Sequence, residues 1–238
     1  MRLLTLANAK TSKGEPLGYL TGILYLAPSN QSGVKNTCPF ASAGCAAGCL
    51  YTAGRAHIFP HIQEARIRKT KLLVSNRGLF LDQLRSDIRS LVRRAGKRGT
   101  RPAVRINGTS DIADLPMIMA KEFPTVQFYD YTKIPRPYLR VLPNYHITFS
   151  LSESNSATAI DSLKHGVNVA VVFHVKRGRP LPSTFLGARV IDGDKHDLRF
   201  LDGYQGAVIG LRAKGQAKRD TSGFVQLAPN FESQMEAA

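Results

Sequence analysis

The apolar positions of this chain change their period as the sequence advances. Residues 19–26, YLTGILYL, form an unbroken apolar run of strand length and predict a buried strand. Over 59–75 the period becomes helical. A second helix is predicted over 79–95, where Phe80, Leu84, Ile88 and Leu91 recur at spacings of three and four and Arg85, Arg89 and Arg93 stripe another face. GKRGTRP then ends it. Further on, short apolar runs at 103–106, 126–131, 145–149, 167–173, 188–191 and 207–211 alternate with helical stretches at 115–122 and 155–165. This rhythm predicts an α/β fold with a mostly parallel sheet, either a partial (β/α) barrel or an open parallel sheet. No internal repeat or low-complexity tract interrupts it. The expectation is a single α/β domain over 1–225, with a cysteine loop at 36–55, a basic helical segment at 55–105 and a loosely structured tail at 226–238.

Polar residues recur where the predicted strands end. Asn107, Ser110 and Asp111 follow the second strand, Tyr131 and Lys133 end the third, and Ser152 and Glu153 follow the fourth. Ligands of parallel sheets and barrels sit at the carboxyl ends of strands. These seven residues are therefore the candidate lining of a cofactor site.

The strongest chemical signal is Cys38, Cys45 and Cys49, the only cysteines in the chain, confined to TCPFASAGCAAGC with the spacing C-x6-C-x3-C. An odd number in one Gly/Ala-rich stretch is poor material for a disulfide framework. Thiolates crowded together call for a positive centre between them, an iron–sulfur cluster or zinc. Ala41, Ser42, Ala43, Gly44, Ala46, Ala47 and Gly48 let the backbone wrap closely enough for three sulfurs to face one centre. The expectation is a 4Fe–4S cluster with one iron left open. The zinc alternative needs a fourth ligand, which His57 or His61 supplies. Buried free thiols are the bland alternative.

The net charge is +16, and it is unevenly spread. Residues 55–105 hold fourteen Lys and Arg against three acids. Such a stretch predicts a phosphate-facing surface, built from Arg55, Arg66, Arg68, Lys69, Lys71, Arg85, Arg89, Arg93, Arg94, Lys97, Arg98 and Arg101, with a solvated helix face as the alternative. Tyr51, Phe59, Tyr129 and Tyr131 are candidates for stacking on unpaired bases. No apolar run approaches the ~20 residues of a membrane span. MRLLTLANAK turns polar too soon for a signal peptide, so a cytoplasmic protein is expected. HIFPH lacks the glutamate of the helical metalloprotease pattern, and there is no P-loop or dinucleotide fingerprint.

A cysteine loop after the first strand, followed by about six more strands, resembles the partial barrel of radical S-adenosylmethionine enzymes. That resemblance implies a four-iron cluster on the three cysteines, with S-adenosylmethionine bound to the open iron. The usual spacing there is C-x3-C-x2-C, and NGTSD stands here where a glycine-rich GGE-like motif is usual. The stretches CAAGCLYTAGRA, VRINGTSDI, VQFYDYTKIPRP, YHITFSLSES and GLRAKG are similar to a family of bacteriophage and mobile-element proteins with an N-terminal three-cysteine motif. This likeness covers roughly residues 20–225. It implies a phage setting, hence the cytoplasm of a bacterial host, and names no reaction.

Three functions follow as expectations. The first is a phage-type iron–sulfur protein that binds nucleic acid, single-stranded DNA or RNA, through a basic surface next to the cluster. The second is a radical S-adenosylmethionine-type or other redox enzyme using the open iron, with Tyr131 or Lys133 acting on substrate. The third is a zinc-stabilised structural or host-interaction protein. The sequence assigns no catalytic residue.

Overall fold

The stripe predicted on the second helix is the element the sheet is built against. In the computed structural model, which describes residues 1–7, 11–52, 58–140 and 142–228, that helix spans Arg77–Lys97 (α3). Asn76 caps it by accepting a hydrogen bond from the Leu79 N–H at 2.9 Å. Phe80, Leu84, Ile88, Leu91 and Ala95 are its buried stripe. The helix before it is Pro60–Ser75 (α2), entered through a proline at its first position. Three shorter helices complete the set: Ala43–Ala47 (α1), Asp114–Glu122 (α4) and Ser156–Lys164 (α5).

Nine strands make the sheet: Leu4–Thr5 (β1), Tyr19–Leu24 (β2), Arg101–Arg105 (β3), Gln127–Thr132 (β4), Tyr145–Ser150 (β5), Val169–Phe173 (β6), Thr184–Phe185 (β7), Ala188–Asp192 (β8) and Val208–Arg212 (β9). Their order is β1-β2-β3-β4-β5-β6-β9-β8-β7. From β2 to β8 every pairing is parallel; β1 and β7 pair antiparallel at the two ends. The barrel form of the sequence expectation is thereby corrected to an open sheet. Closure requires the outer strands to pair with each other. Here each edge is occupied by a two-residue antiparallel strand that has no further partner among the described residues.

Alternation along the strands sorts the two faces. Leu20, Leu24, Val104, Phe128 and Ile147 pack with α3 in the main core. Tyr19, Ala103 and Tyr129 face the other way and are covered by Leu198 and Phe200 from the segment between β8 and β9. The parallel strands all present their carboxyl ends on one edge, where the cysteine loop lies. Arg55 and His57, named above as a phosphate contact and a zinc ligand, lie outside the described residues, as do residues 229–238 of the predicted tail. The tail's described start is tied down, since Gln226 bridges to Phe173 of β6. No helix among the described residues is long and apolar enough to cross a membrane.

Candidate functional site

The chain leaves β2 and runs along the carboxyl edge through residues 25–52, held there by short polar bonds. Thr37 Oγ1 donates to the Ala27 carbonyl at 2.6 Å, and the Asp111 N–H donates to the Thr37 carbonyl at 2.7 Å. Thr109 Oγ1 donates to the Leu26 carbonyl at 2.6 Å. The far end is fixed by Glu153, which follows β5. One carboxylate oxygen accepts from Ser42 Oγ and the other from the Gly44 N–H, each at 2.7 Å. Ser42 Oγ also accepts from the Cys45 N–H at 3.2 Å and so caps α1. Partial burial pushes the Glu153 carboxyl up, but these hydrogen bonds outweigh it and hold the group below the usual carboxylate range.

Gly44 is glycine for want of space. A Cβ there would stand 2.7 Å from Phe224 Cβ and 2.9 Å from Glu153 Oε1. Phe224 belongs to the segment after β9 that packs under α1, with Ala213, Ala217 and Val225 around it and Cys45 against it.

These bonds set Cys38, Cys45 and Cys49 on the wall of one cleft of about 1290 Å³, together with Asn107, Ser110, Asp111, Tyr131 and Lys133. Of the seven strand-end candidates, Ser152 and Glu153 do not line it; Glu153 instead grips the cysteine loop from outside. Three others carry local structure. Asn107 Oδ1 accepts from Ser110 Oγ at 2.9 Å and from the Ile112 N–H at 3.0 Å, and its Nδ2 donates to the Ile112 carbonyl at 3.0 Å. Asp111 accepts from Thr132 Oγ1 and the Lys133 N–H, both at 2.7 Å. Burial nevertheless pushes the Asp111 carboxyl up. Lys133 Nζ reaches across to Ser150 Oγ at 3.0 Å.

The three cysteines are free thiols. Burial pushes Cys38 and Cys49 up, and the neighbouring thiols push each further in the same direction. All three line the same cleft. Among the described residues no group of three or more His, Cys, Asp or Glu side chains is arranged to hold a metal ion. Cys38 Sγ donates to the Thr109 carbonyl at 3.7 Å. His61 lines the same cleft and lies against Phe59, ring centroids 5.6 Å apart.

The basic segment is not one surface. Arg66 and Lys69 are buried and line the cleft. Arg85 is gripped by Glu122 through Nε and Nη2 and by Asp82 through Nη1, all at 2.8 Å. Arg68 pairs with Glu64 and Arg98 with Glu15, while Arg101 lies over the Tyr19 ring. Lys71, Arg89, Arg93, Arg94 and Lys97 are exposed. The end of α3 leads straight into Arg101, the first residue of β3, whereas the cysteine loop bonds to the turn that follows β3. The exposed cations at the end of α3 thus sit at the opposite edge of the sheet from the cysteines, and of the described candidate phosphate contacts only Arg66 and Lys69 line the cleft with them.

Sequence reasoning missed the floor of the cleft. Arg105 pairs with Asp197 at 3.1 Å and stacks over the Tyr131 ring at 4.5 Å, and the Tyr129 hydroxyl donates to Asp197 at 3.4 Å. This answers the stacking expectation for the two tyrosines: Tyr129 is wholly buried, and Tyr131 faces Arg105. Strand alternation from Ala103 through Arg105 to Asn107 was the available signal for Arg105. Asp197, ninety-two residues away, offered none.

A family model described as Gene product 88 matches residues 2–228. The chain belongs to the Gene product 88 family, a phage-type family of gene products. No curated protein and no solved structure matches it. The stretches that carried the phage resemblance have separate places in this member of the family: CAAGC forms α1 and its exit, NGTSD the Asn107 turn, and GLRAKG the passage from β9 into the segment under α1.

Proposed function

We propose that this Gene product 88 protein is an iron–sulfur protein, with Cys38, Cys45 and Cys49 as ligands of a four-iron cluster at the mouth of the cleft. The observation that carries the reading is that every cysteine of the chain lines one cleft at the carboxyl edge of a parallel sheet. The donor set suits a cluster better than zinc. Zinc draws four ligands to about 2.0–2.3 Å, whereas a cubane keeps its ligand sulfurs further apart and needs only three of them. Small residues between the cysteines leave the loop free to tighten once the thiols lose their protons. Arg66 and Lys69 offset the negative charge that three thiolates bring. Glu153 holds the loop, and Lys133 with Ser150 sits on the strand-end side of the space. Bound there, a cluster supplies one-electron chemistry and one iron without a cysteine. S-adenosylmethionine is the candidate ligand for that iron that the radical-enzyme resemblance supplies.

Strictly anaerobic reconstitution followed by iron and sulfide counts tests this. About four irons and four sulfides per chain, lost on Cys45→Ala, are expected. Stoichiometric zinc without iron, or no metal at all, overturns it. Added S-adenosylmethionine is expected to shift the paramagnetic resonance spectrum of the reduced cluster; an unchanged spectrum removes that ligand and leaves the cluster.

The exposure of Arg89, Arg93, Arg94 and Lys97 favours a second reading, in which the amino edge of the sheet binds nucleic acid through phosphate contacts, single strands included.

A further inference from the structure

Arg66 is 7% exposed, yet its Nε and Nη1 have no hydrogen-bond partner. No ion pair with a carboxylate involves it among the described residues. Its guanidinium lies 5.2 Å from the centroid of the Tyr25 ring, and both residues line the cleft with Cys49. One turn on along α2, Lys69 is 8% exposed and, among the described residues, donates only to the Leu3 carbonyl, at 2.7 Å. Asp87 is the acid whose charge acts on Lys69, and its oxygens accept from the Leu3 and Leu4 N–H groups and from Gln83. The adjacent segment 53–57, Ala-Gly-Arg-Ala-His, contains no carboxylate. Two cations three residues apart on a helix share a face. Burying both without an anion costs several kcal/mol, and a fold keeps such an arrangement where something else brings the negative charge.

We propose that Arg66 and Lys69 form an oxyanion subsite in the cleft that receives the phosphate of a phosphate ester, with Tyr51 and Phe59 as the surface for the base of a nucleotide. A phosphomonoester carries about −1.5 to −2 at neutral pH, matching two cations where a carboxylate would match one. Tyr51 and Phe59 line the same cleft, and Phe59 is exposed, as a stacking platform requires. The volume of about 1290 Å³ exceeds what one drug-sized ligand fills. It accommodates a free nucleotide or the terminal nucleotide of a strand, which present the same chemistry. The inference rests on the cleft being a ligand site, and not on the cluster.

The test uses the full chain stripped of metal by a chelator, so that it reads the subsite whether or not the cluster reading holds. Calorimetric titration compares adenosine 5′-monophosphate, adenosine and a 5′-phosphorylated pentathymidylate. The monophosphate is expected to bind at least tenfold more tightly than adenosine, and Arg66→Met to erase that ratio, while Arg93→Glu, at the far edge, leaves it intact. Binding of the oligonucleotide alone, dependent on its 5′ phosphate and on Arg66, assigns the site to a strand end and also supports the subsite. Equal affinities for monophosphate and adenosine with no phosphate-dependent binding of the strand, or wild-type binding by Arg66→Met, overturn it. Should Arg66→Met fail to fold, Lys69→Met and the wild-type ratio decide the matter in the same way.

Discussion

Glu153 stands outside the cleft and yet controls it, and the consequence is measurable without any cofactor. Its carboxylate holds Ser42 Oγ and the Gly44 N–H, both at 2.7 Å, and Ser42 in turn caps the Cys45 N–H. A hydrogen bond to a charged group contributes about 1.5–3 kcal/mol. This carboxylate is half-buried, so the lower end applies to each bond, and water recovers part of the loss when both are broken. Glu153→Ala therefore raises the free energy of the closed cysteine loop by about 2 kcal/mol. At about 1.4 kcal/mol per decade, local opening becomes roughly 30-fold more frequent. Thiol labelling by an aromatic disulfide reagent under native conditions reports that opening, because the three cysteines are half-buried and thiolates react only when the loop lifts. The exposed neighbour Ser154→Ala serves as control. The sign with pH is fixed too. A carboxyl held below its ordinary value stabilises fully above that value, about 4.3 for glutamate, and loses the contribution as the pH falls through the lower folded one. Wild type and Glu153→Gln should therefore converge in urea stability in that acid range. Labelling of Glu153→Ala within twofold of wild type, at unchanged global stability, refutes the clamp.

Four further outcomes are expected. Gly44→Ala should destabilise by about 1–3 kcal/mol through overpacking against Phe224, read as a lower urea midpoint with an unchanged slope. Lys69 has its pKa lowered to about 8 by burial, with the neighbouring Arg66 adding to the effect and Asp87 opposing it. The penalty of its charge is full below that pH and is relieved as the pH climbs toward the ordinary lysine value, so stability gains on this account between about 8 and 10.4; Lys69→Met should abolish that gain in pH-dependent melts. Arg93→Glu with Arg94→Glu should weaken nucleic-acid binding and flatten its salt slope by about 0.7 per lost single-strand contact. Arg85→Ala should leave that slope nearly unchanged, because its guanidinium is already committed to Glu122 and Asp82.

Periodicity gave up most of the elements. The predicted helix over 79–95 is Arg77–Lys97, and the run at 145–149 is β5 at Tyr145–Ser150. Burial on one side writes a pattern into consecutive residues, and that pattern is local. The order of the strands is not local. β9 inserts between β6 and β8, and nothing in VIGLR announces which neighbours it will have. β1 and β7, two residues each, are too short to carry a period. The rim was legible because strand ends and polar turns coincide in sequence, which brought Asn107, Asp111 and Lys133 to the cleft with the cysteines. The work each of them does was not legible. Asn107 and Asp111 look alike as strand-end polar residues whether they face a ligand or hold the protein together, and here Asn107 bonds within its own turn while Asp111 ties that turn to Thr132 and Lys133 at the end of β4. The division of the charge run was hidden for a related reason: partners such as Glu122 and Glu15 come from distant parts of the chain and neutralise part of it.

Charge and burial together separate the two basic regions by what they cost. The exposed cations at the end of α3 are solvated and cost the fold almost nothing, so they stand available to a phosphate partner without straining the fold. Arg66 and Lys69 are different. A buried guanidinium with two donors unpaired is destabilising at about 1–3 kcal/mol per unmet group, and a Met at either position would fill much the same space without that cost. Chains hold such residues where function requires the strain. The same reasoning applies to the cysteines beside them. Cys38 and Cys49, pushed toward their neutral forms by burial and by the neighbouring thiols, are poor nucleophiles as they stand. They become useful when a cation displaces their protons, and the two positive side chains next to them make that displacement less costly in net charge. Arg66→Met should therefore yield a more stable and less capable protein. A variant that was both less stable and equally competent in phosphate binding would show that the guanidinium serves packing alone.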